Sequence, residues 1–290
     1  MLLASFFFAL MGGFAKKLGQ ELPAIEVTFF RNIFGVFFIG ISLWIKPSIK
    51  KGGKPLILFF RGTMGFLALL AYFHNMKYIP LGDAIIYNKT APLFLGFFAW
   101  VFLREKLSKP AVLALVLGFV GILFISKPTI NGLSKYDLLG IFSGIGAALA
   151  YTSIRRLKNC YDARTITISF MIAGTLFPLV FMGISEVIPS LEAYDIIFSK
   201  FIFPKRISWI YISALTACAT FSQLLMTKAY TLSKAGLVGI ISYSQIIFSI
   251  LIGINMGDPL PDGQSIVGVL IIIGAGILSI TTQREPQKRR

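Results

Sequence analysis

Residues 84–103, AIIYNKTAPLFLGFFAWVFL, are long and apolar enough to cross a bilayer, yet they carry a lysine, Lys89, well inside the run. A span needs roughly 20 mostly apolar residues. An amine at that depth costs about 2.5–3.5 kcal/mol on insertion scales, so an intramembrane charge marks a functional position by default. Tyr87, Asn88 and Thr90 flank it and Pro92 follows. Proline has no amide hydrogen, so the carbonyl of Asn88 loses its usual helical partner. A freed carbonyl at membrane depth is tolerated only against protein or a water-filled cavity. The stretch reads as one wall of a polar cavity, with Lys89 facing it; snorkelling of the long side chain towards the outer interface is the alternative.

Composition sets the frame around that stretch. Of 290 residues, 56% are hydrophobic and only 14% charged, far from the balance of a soluble domain. The excess of 28 Lys and Arg over 12 Asp and Glu gives +16. The basic residues lie between apolar runs rather than in a stripe interleaved with stacking aromatics, so membrane topology accounts for them and nucleic acid does not. The two cysteines, Cys160 and Cys218, lack metal-ligand spacing, and with the single His74 they call for no metal site. There is no GxxxxGK[ST] phosphate loop and no GxSxG elbow, so ATP-driven transport and serine hydrolysis lack support, and no cofactor is implied.

Ten apolar runs follow one another, from Leu2–Ala15, Ile25–Ile45, Leu56–Asn75, Gly82–Leu103 and Ala111–Ile125 to Leu138–Ile154, Thr165–Ile184, Ile207–Met226, Ala235–Met256 and Ser265–Ile280. The first is short, which suggests that a few residues precede Met1. With the N-terminus inside, seventeen Lys and Arg fall in cytoplasmic segments, eight in external ones, and Arg31, Arg61 and Lys89 within spans. Short cytoplasmic loops carry the excess of Lys and Arg, so both termini are expected in the cytoplasm. The Glu186–Lys205 connection is the longest external one, with room for a short interfacial helix.

The chain reads as two copies of one unit. AYFHNMKYIPLGDAIIYNKTAPLF (Ala71–Phe94), leading to LREKLSKPAVLALVLGFVGIL (Leu103–Leu123), corresponds to LMTKAYTLSKAGLVGIISYSQIIF (Leu225–Phe248), leading to MGDPLPDGQSIVGVLIIIGAGIL (Met256–Leu278), with Tyr78 matching Tyr230, Glu105 matching Asp258 and Gly121 matching Gly274. The patch Tyr87-Asn88-Lys89-Thr90 then meets Ser242-Tyr243-Ser244-Gln245 at similar depth. An odd number of spans per unit turns the second copy upside down, and inverted repeats with a midplane site between them describe secondary transporters. The expected fold is all-α: ten transmembrane helices as two inverted five-helix repeats around a central cavity. The units are residues 1–126 and 137–282, joined by a loop over 127–136 and followed by a basic cytoplasmic tail over 283–290.

These residues also carry a family likeness. The helix-two arginine in EVTFFRNIFG, the block APLFLGFFAWVFLREKLS before GFVGIL, and the weaker echo GDPLPDGQ before GAGIL resemble the EamA branch of the drug/metabolite transporter superfamily along nearly the whole chain. Within that branch, EVTFFRNIFG and RGTMGFLALLAYF look like segments of bacterial S-adenosylmethionine uptake carriers. The resemblance implies five-plus-five inverted helices around a cavity in the bacterial inner membrane, support of the bundle by the fifth and tenth helices, and import or export of small metabolites.

Depth selects the candidate site. At 1.5 Å per residue, Arg31 lies roughly 9 Å and Lys89 roughly 10 Å below the outer ends of their helices. No carboxylate within the spans matches them, which invites a carboxylate or phosphate on a small-molecule cargo. Arg31 and Lys89 would hold that group, with Tyr87, Asn88, Thr90, Ser242, Tyr243, Ser244 and Gln245 as polar contacts; the cargo class is anionic or zwitterionic, such as an amino acid, a nucleotide-like molecule or an S-adenosylmethionine-like one. A structural pair of Arg31 with Glu26 or Asp83 is the competing reading, since buried charges are usually paired. Arg61 reads as an interface anchor near the inner end of the third span. His74 reads as a helix-end or gate residue, and Gln223 as a cavity residue or a tie between helices. Gly140 and Gly144, with Gly118, Gly121, Gly268, Gly274 and Gly276, read as packing positions where helices approach and rock. No motif supplies chemical energy, so facilitated or exchange transport is favoured over proton symport, for which Glu26, Asp83 and His74 are the only coupling candidates. Two other classes stay open: a lipid-modifying enzyme, against which the scatter of Glu, Asp and His argues, and a scaffold or receptor, which needs no matched polar patches. A homodimer is left open.

Overall fold

The computed structural model describes residues 1–48, 50, 52–91, 93–94, 97–98, 109–126, 133–157, 159–188, 190, 196–232 and 241–282. Pro92, the C-terminal end of the Gly82–Leu103 run, Glu105, the start of the Ala235–Met256 run and the tail over 283–290 lie outside the described residues. Among the described residues there are ten helices and no strand. In chain order these are α1 (Leu2–Leu18), α2 (Ala24–Ile45), α3 (Pro55–Tyr78), α4 (Leu81–Asn88), α5 (Lys109–Ser126), α6 (Lys135–Leu157), α7 (Ala163–Val187), α8 (Ser208–Leu232), α9 (Ser244–Asn255) and α10 (Gly263–Thr282). Five of them, α2, α3, α6, α7 and α8, are long and apolar enough to cross a membrane. Their outward faces carry side chains such as Phe37, Phe38, Phe59, Leu176 and Val180, exposed on the protein and suited to lipid tails.

Helix ends follow local chemistry. Pro55 opens α3 at a position whose amide would lack an intrahelical partner. Asp162 caps α7, its Oδ1 accepting the Thr165 N–H at 2.7 Å. After α9, Gly257 takes φ +94, a turn that L side chains rarely adopt. The following Asp258 N–H then donates to the Gly253 carbonyl at 2.9 Å, which closes the helix and turns the Asp258 side chain back over it.

Packing gives the bundle a regular plan. α3 packs on α6 and α1 on α8; α3 packs on α7 and α2 on α8; α4 packs on α6 and α1 on α9. Three further contacts, α2 with α7, α4 with α9 and α5 with α10, join like-numbered helices of the two halves. Moving every helix five places along therefore maps these principal contacts onto one another. Between α5 and α10 the crossing is close enough that a Cβ on Gly121 would lie 3.0 Å from the Gly268 carbonyl oxygen, and one on Gly268 would lie 2.9 Å from that of Gly121. The repeat pairs Gly121 with Gly274, but a Cβ on Gly274 meets nothing within 4 Å among the described residues. Packing selects the glycine where two backbones meet, and identity in a run of small residues does not.

One end of the bundle gathers the 19–23, 79–80 and 257–262 connections. Lys16 at the end of α1 forms an ion pair with Asp258, and the other Asp258 oxygen accepts the Leu81 N–H at 2.9 Å. Glu21 accepts from Ser208 at 2.7 Å, and Glu26 accepts from the Ile202 N–H at 3.0 Å. At the opposite end Arg164 donates to the carbonyls of Ser42 and Lys46, each at 2.8 Å.

Candidate functional site

The cavity lies among α1, α2, α3, α4, α6, α7, α8 and α9 and measures about 100 Å³. Arg31, Arg61, Lys89, Asn88, Gln223, Gln245, Tyr72 and Tyr151 are its polar lining, with Phe8, Met11, Ile85, Phe170 and Met226 among the apolar part. No Asp or Glu among the described residues lines it.

Arg31 is only 2% exposed. Its guanidinium donates to Asn32 Oδ1 at 2.6 Å, and Asn32 is held in turn through Nδ2, which donates to the carbonyls of Thr28 at 2.7 Å and Gly174 at 3.3 Å. Gly174 permits this approach, since a Cβ there would lie 2.3 Å from Asn32 Nδ2. The Arg31 guanidinium carbon sits 4.9 Å from the centre of the Phe170 ring and that of Arg61 sits 5.0 Å from the same ring. Arg61 is 3% exposed, so the expected interface anchor is instead a cavity residue. The cause is Gly65, one turn on: a Cβ there would fall 2.4 Å from an Arg61 guanidinium nitrogen and 2.7 Å from Phe170. The RGTMG spacing is the signal that would have found it, because only a missing side chain at that point lets the guanidinium lie along its own helix. Neither arginine has an acidic partner among the described residues, so the pairing of Arg31 with Glu26 or Asp83 is replaced by Asn32 and Phe170.

The third cation stands at a break. α4 stops at Asn88, Lys89 takes φ −76 and ψ 0 as its C-cap, and the hydroxyl of Thr90 donates to the Tyr87 carbonyl at 2.6 Å. Asn88 donates to Ser143 at 2.9 Å. Helical residues resume at Ala91. In the second half Ile241 and Ser242 are helical, Tyr243 is a turn residue, and α9 begins at Ser244. Both polar patches thus lie where a helix is interrupted.

The expected site residues divide. Arg31, Asn88, Lys89, Gln223 and Gln245 come together on the cavity. Tyr87 points away to α6, where its hydroxyl donates to Asp137 at 2.6 Å and its ring fits over Gly140. Thr90 and Ser244 spend their hydroxyls on the carbonyls of Tyr87 and Ile241. Ser242 and Tyr243 are buried beside the second break, with Tyr243 over Gly276. Glu26 is fully buried near the 202 segment, His74 packs beside Tyr78, which stacks on Tyr136, at the end of α3, and Asp83 sits in the first turn of α4; none of these three lines the cavity. Arg61, Tyr72, Tyr151 and Phe170 are cavity residues that the sequence reading did not select. No group of three or more His, Cys, Asp or Glu able to hold a metal occurs among the described residues.

Five apolar, membrane-length helices together with the interrupted α4 and α9 around a small cation-lined cavity define a membrane transporter. The EamA-like transporter family matches residues 1–127. An uncharacterized transporter of Helicobacter pylori is 31% identical over 283 residues, covering 96% of this chain and 92% of the relative. The pseudopaline exporter CntI of Pseudomonas aeruginosa is 30% identical over 283 residues, covering 96% and 94%. An S-adenosylmethionine uptake transporter of Rickettsia conorii is 20% identical over 277 residues, covering 95% and 89%. The chain belongs to the EamA-like transporter family. Its relatives include both an exporter and an uptake carrier.

Proposed function

We propose that the chain is a secondary transporter that moves a small anionic or zwitterionic metabolite across the bacterial inner membrane by alternating access, with both termini in the cytoplasm. The observation that carries the reading is the group Arg31, Arg61 and Lys89 on one cavity, with no carboxylate among the described residues of its lining. Buried charge without a partner is costly, and a transported anion supplies the partner. Two inverted five-helix repeats are supported by the exchange of helix contacts described above and by the breaks at Lys89–Thr90 and Tyr243. Interrupted helices near the midplane are where such carriers hold substrate. The units 1–126 and 137–282 are the repeats, and the tail over 283–290 is cytoplasmic. The cation-lined wall favours a carrier over a scaffold, which has no use for it.

In proteoliposomes Lys89→Ala is expected to abolish flux while the protein still inserts; unchanged transport kinetics would remove Lys89 from the site. Exchange or facilitated movement is the preferred mode, because the described lining holds no acidic or histidine relay. A tenfold pH effect on flux that disappears in Glu26→Gln or Asp83→Asn would reverse that preference.

A further inference from the structure

We infer that the cargo carries at least two negative charges, which excludes neutral zwitterions and cations as the main substrate class. This rests on the cavity being the transport site. Three observations point the same way. Arg31 and Arg61 share one ring, so their guanidinium carbons are separated by at most about twice the 5 Å that each keeps from it. Lys89 adds a third cation on the same small cavity. The Nε atoms of both arginines are buried and have no hydrogen-bond partner.

A ring face offsets little of this. A cation–π contact contributes about 0.5–2 kcal/mol, whereas removing an ion from water costs several kcal/mol. A single carboxylate leaves a net charge of +2 among the three cations of the lining, which still repel one another. A second negative charge converts that remaining repulsion into attraction, and the two guanidinium forks suit carboxylate or phosphate oxygens. An ammonium or sulfonium group would meet three cations, with no acidic residue among the described lining to receive it. The shared chemistry is a compact dianion or trianion, whose charges sit on two carboxylates or on one phosphate monoester.

The test is a charge ladder on purified protein at fixed ionic strength, read as ligand-induced thermal stabilisation. Butyrate, succinate and tricarballylate carry one, two and three carboxylates; glycerol 3-phosphate places two charges on one phosphorus; alanine and S-adenosylmethionine bring positive groups. Succinate or tricarballylate, or glycerol 3-phosphate, is expected to reach half-effect at a concentration at least tenfold below butyrate, with alanine and S-adenosylmethionine inert. Arg61→Gln should erase that preference and Arg61→Lys should keep most of it. Equal effects of butyrate and the dianions, a stronger effect of alanine or S-adenosylmethionine, or no effect of any compound on the wild-type protein overturns the inference, whatever the fate of the Arg61→Gln variant. The transport reading fails separately, if Lys89→Ala leaves the flux of every transported compound unchanged.

Discussion

Removing the charge of Asp258 tests how the end of the bundle that gathers α1, α4 and the α9–α10 turn is clasped. Its carboxylate pairs with Lys16 and also accepts the Leu81 N–H at 2.9 Å, so one side chain ties the end of α1, the start of α4 and the α9–α10 turn. Both charged side chains are 14% exposed, closer to the buried limit, where breaking a pair costs about 3–5 kcal/mol, than to the exposed one, where it costs about 0–1 kcal/mol. Asp258→Asn retains a carbonyl for Leu81 but leaves the Lys16 ammonium with only the Ile79 carbonyl at 3.3 Å. A loss of about 2–3 kcal/mol is expected, which at ~2–4 °C per kcal/mol lowers the melting temperature by roughly 4–12 °C. The assay is a double-mutant cycle of Asp258→Asn and Lys16→Met on detergent-purified protein. Coupling of more than about 1 kcal/mol is expected; losses that add within about 0.5 kcal/mol would show that the two groups do not act together, and the account of that end would fall.

Gly268→Leu should be severely destabilising or prevent folding, because even a Cβ there meets Ile125 at 2.7 Å and the Gly121 carbonyl at 2.9 Å, whereas Gly274→Ala should change melting by less than about 1 kcal/mol; equal effects would refute the α5–α10 crossing. Asp162→Ala should cost about 1 kcal/mol as a lost helix cap, measured by thermal unfolding. Burial raises the Asp162 carboxyl, but hydrogen bonds from Thr165 and the neighbouring Arg164 outweigh it and hold the group below its ordinary value. A depressed folded value means that its contribution is present above the unfolded value of about 3.9 and is lost as pH falls below it. Asp162→Asn should flatten that acid limb; an unchanged limb would remove Asp162 as its source.

Much of the architecture was legible because a bilayer demands long apolar runs, and α2, α3, α6 and α7 begin and end within three residues of the runs that announce them. The break after Asn88 was also legible, since Pro92 advertises it in the sequence. The break at Tyr243 carries no proline and was marked only by its polar neighbours. Arg61 was misplaced because distance along a helix gives depth but not azimuth; which way it faces is decided by Gly65 and by Phe170 from α7. The Lys16–Asp258 clasp joins residues 242 positions apart, and no local pattern encodes such a contact. Tyr87 looked like a ligand by its position beside Lys89, yet its hydroxyl serves Asp137. Proximity in sequence on a helix rotates each neighbour by about 100°, so adjacent polar residues need not share a face.

The most direct measurement of the central claim is two-sided access to the cavity. Ala147 lines it and is 5% exposed, so Ala147→Cys in a Cys160→Ser/Cys218→Ser background places one thiol there, with Phe37→Cys on the exposed outer face of α2 as the control. A membrane-impermeant maleimide applied separately to each side of oriented vesicles should modify the Ala147→Cys thiol from both sides. Modification from neither side, or from one side only under every condition, would contradict a cavity that opens alternately across the membrane.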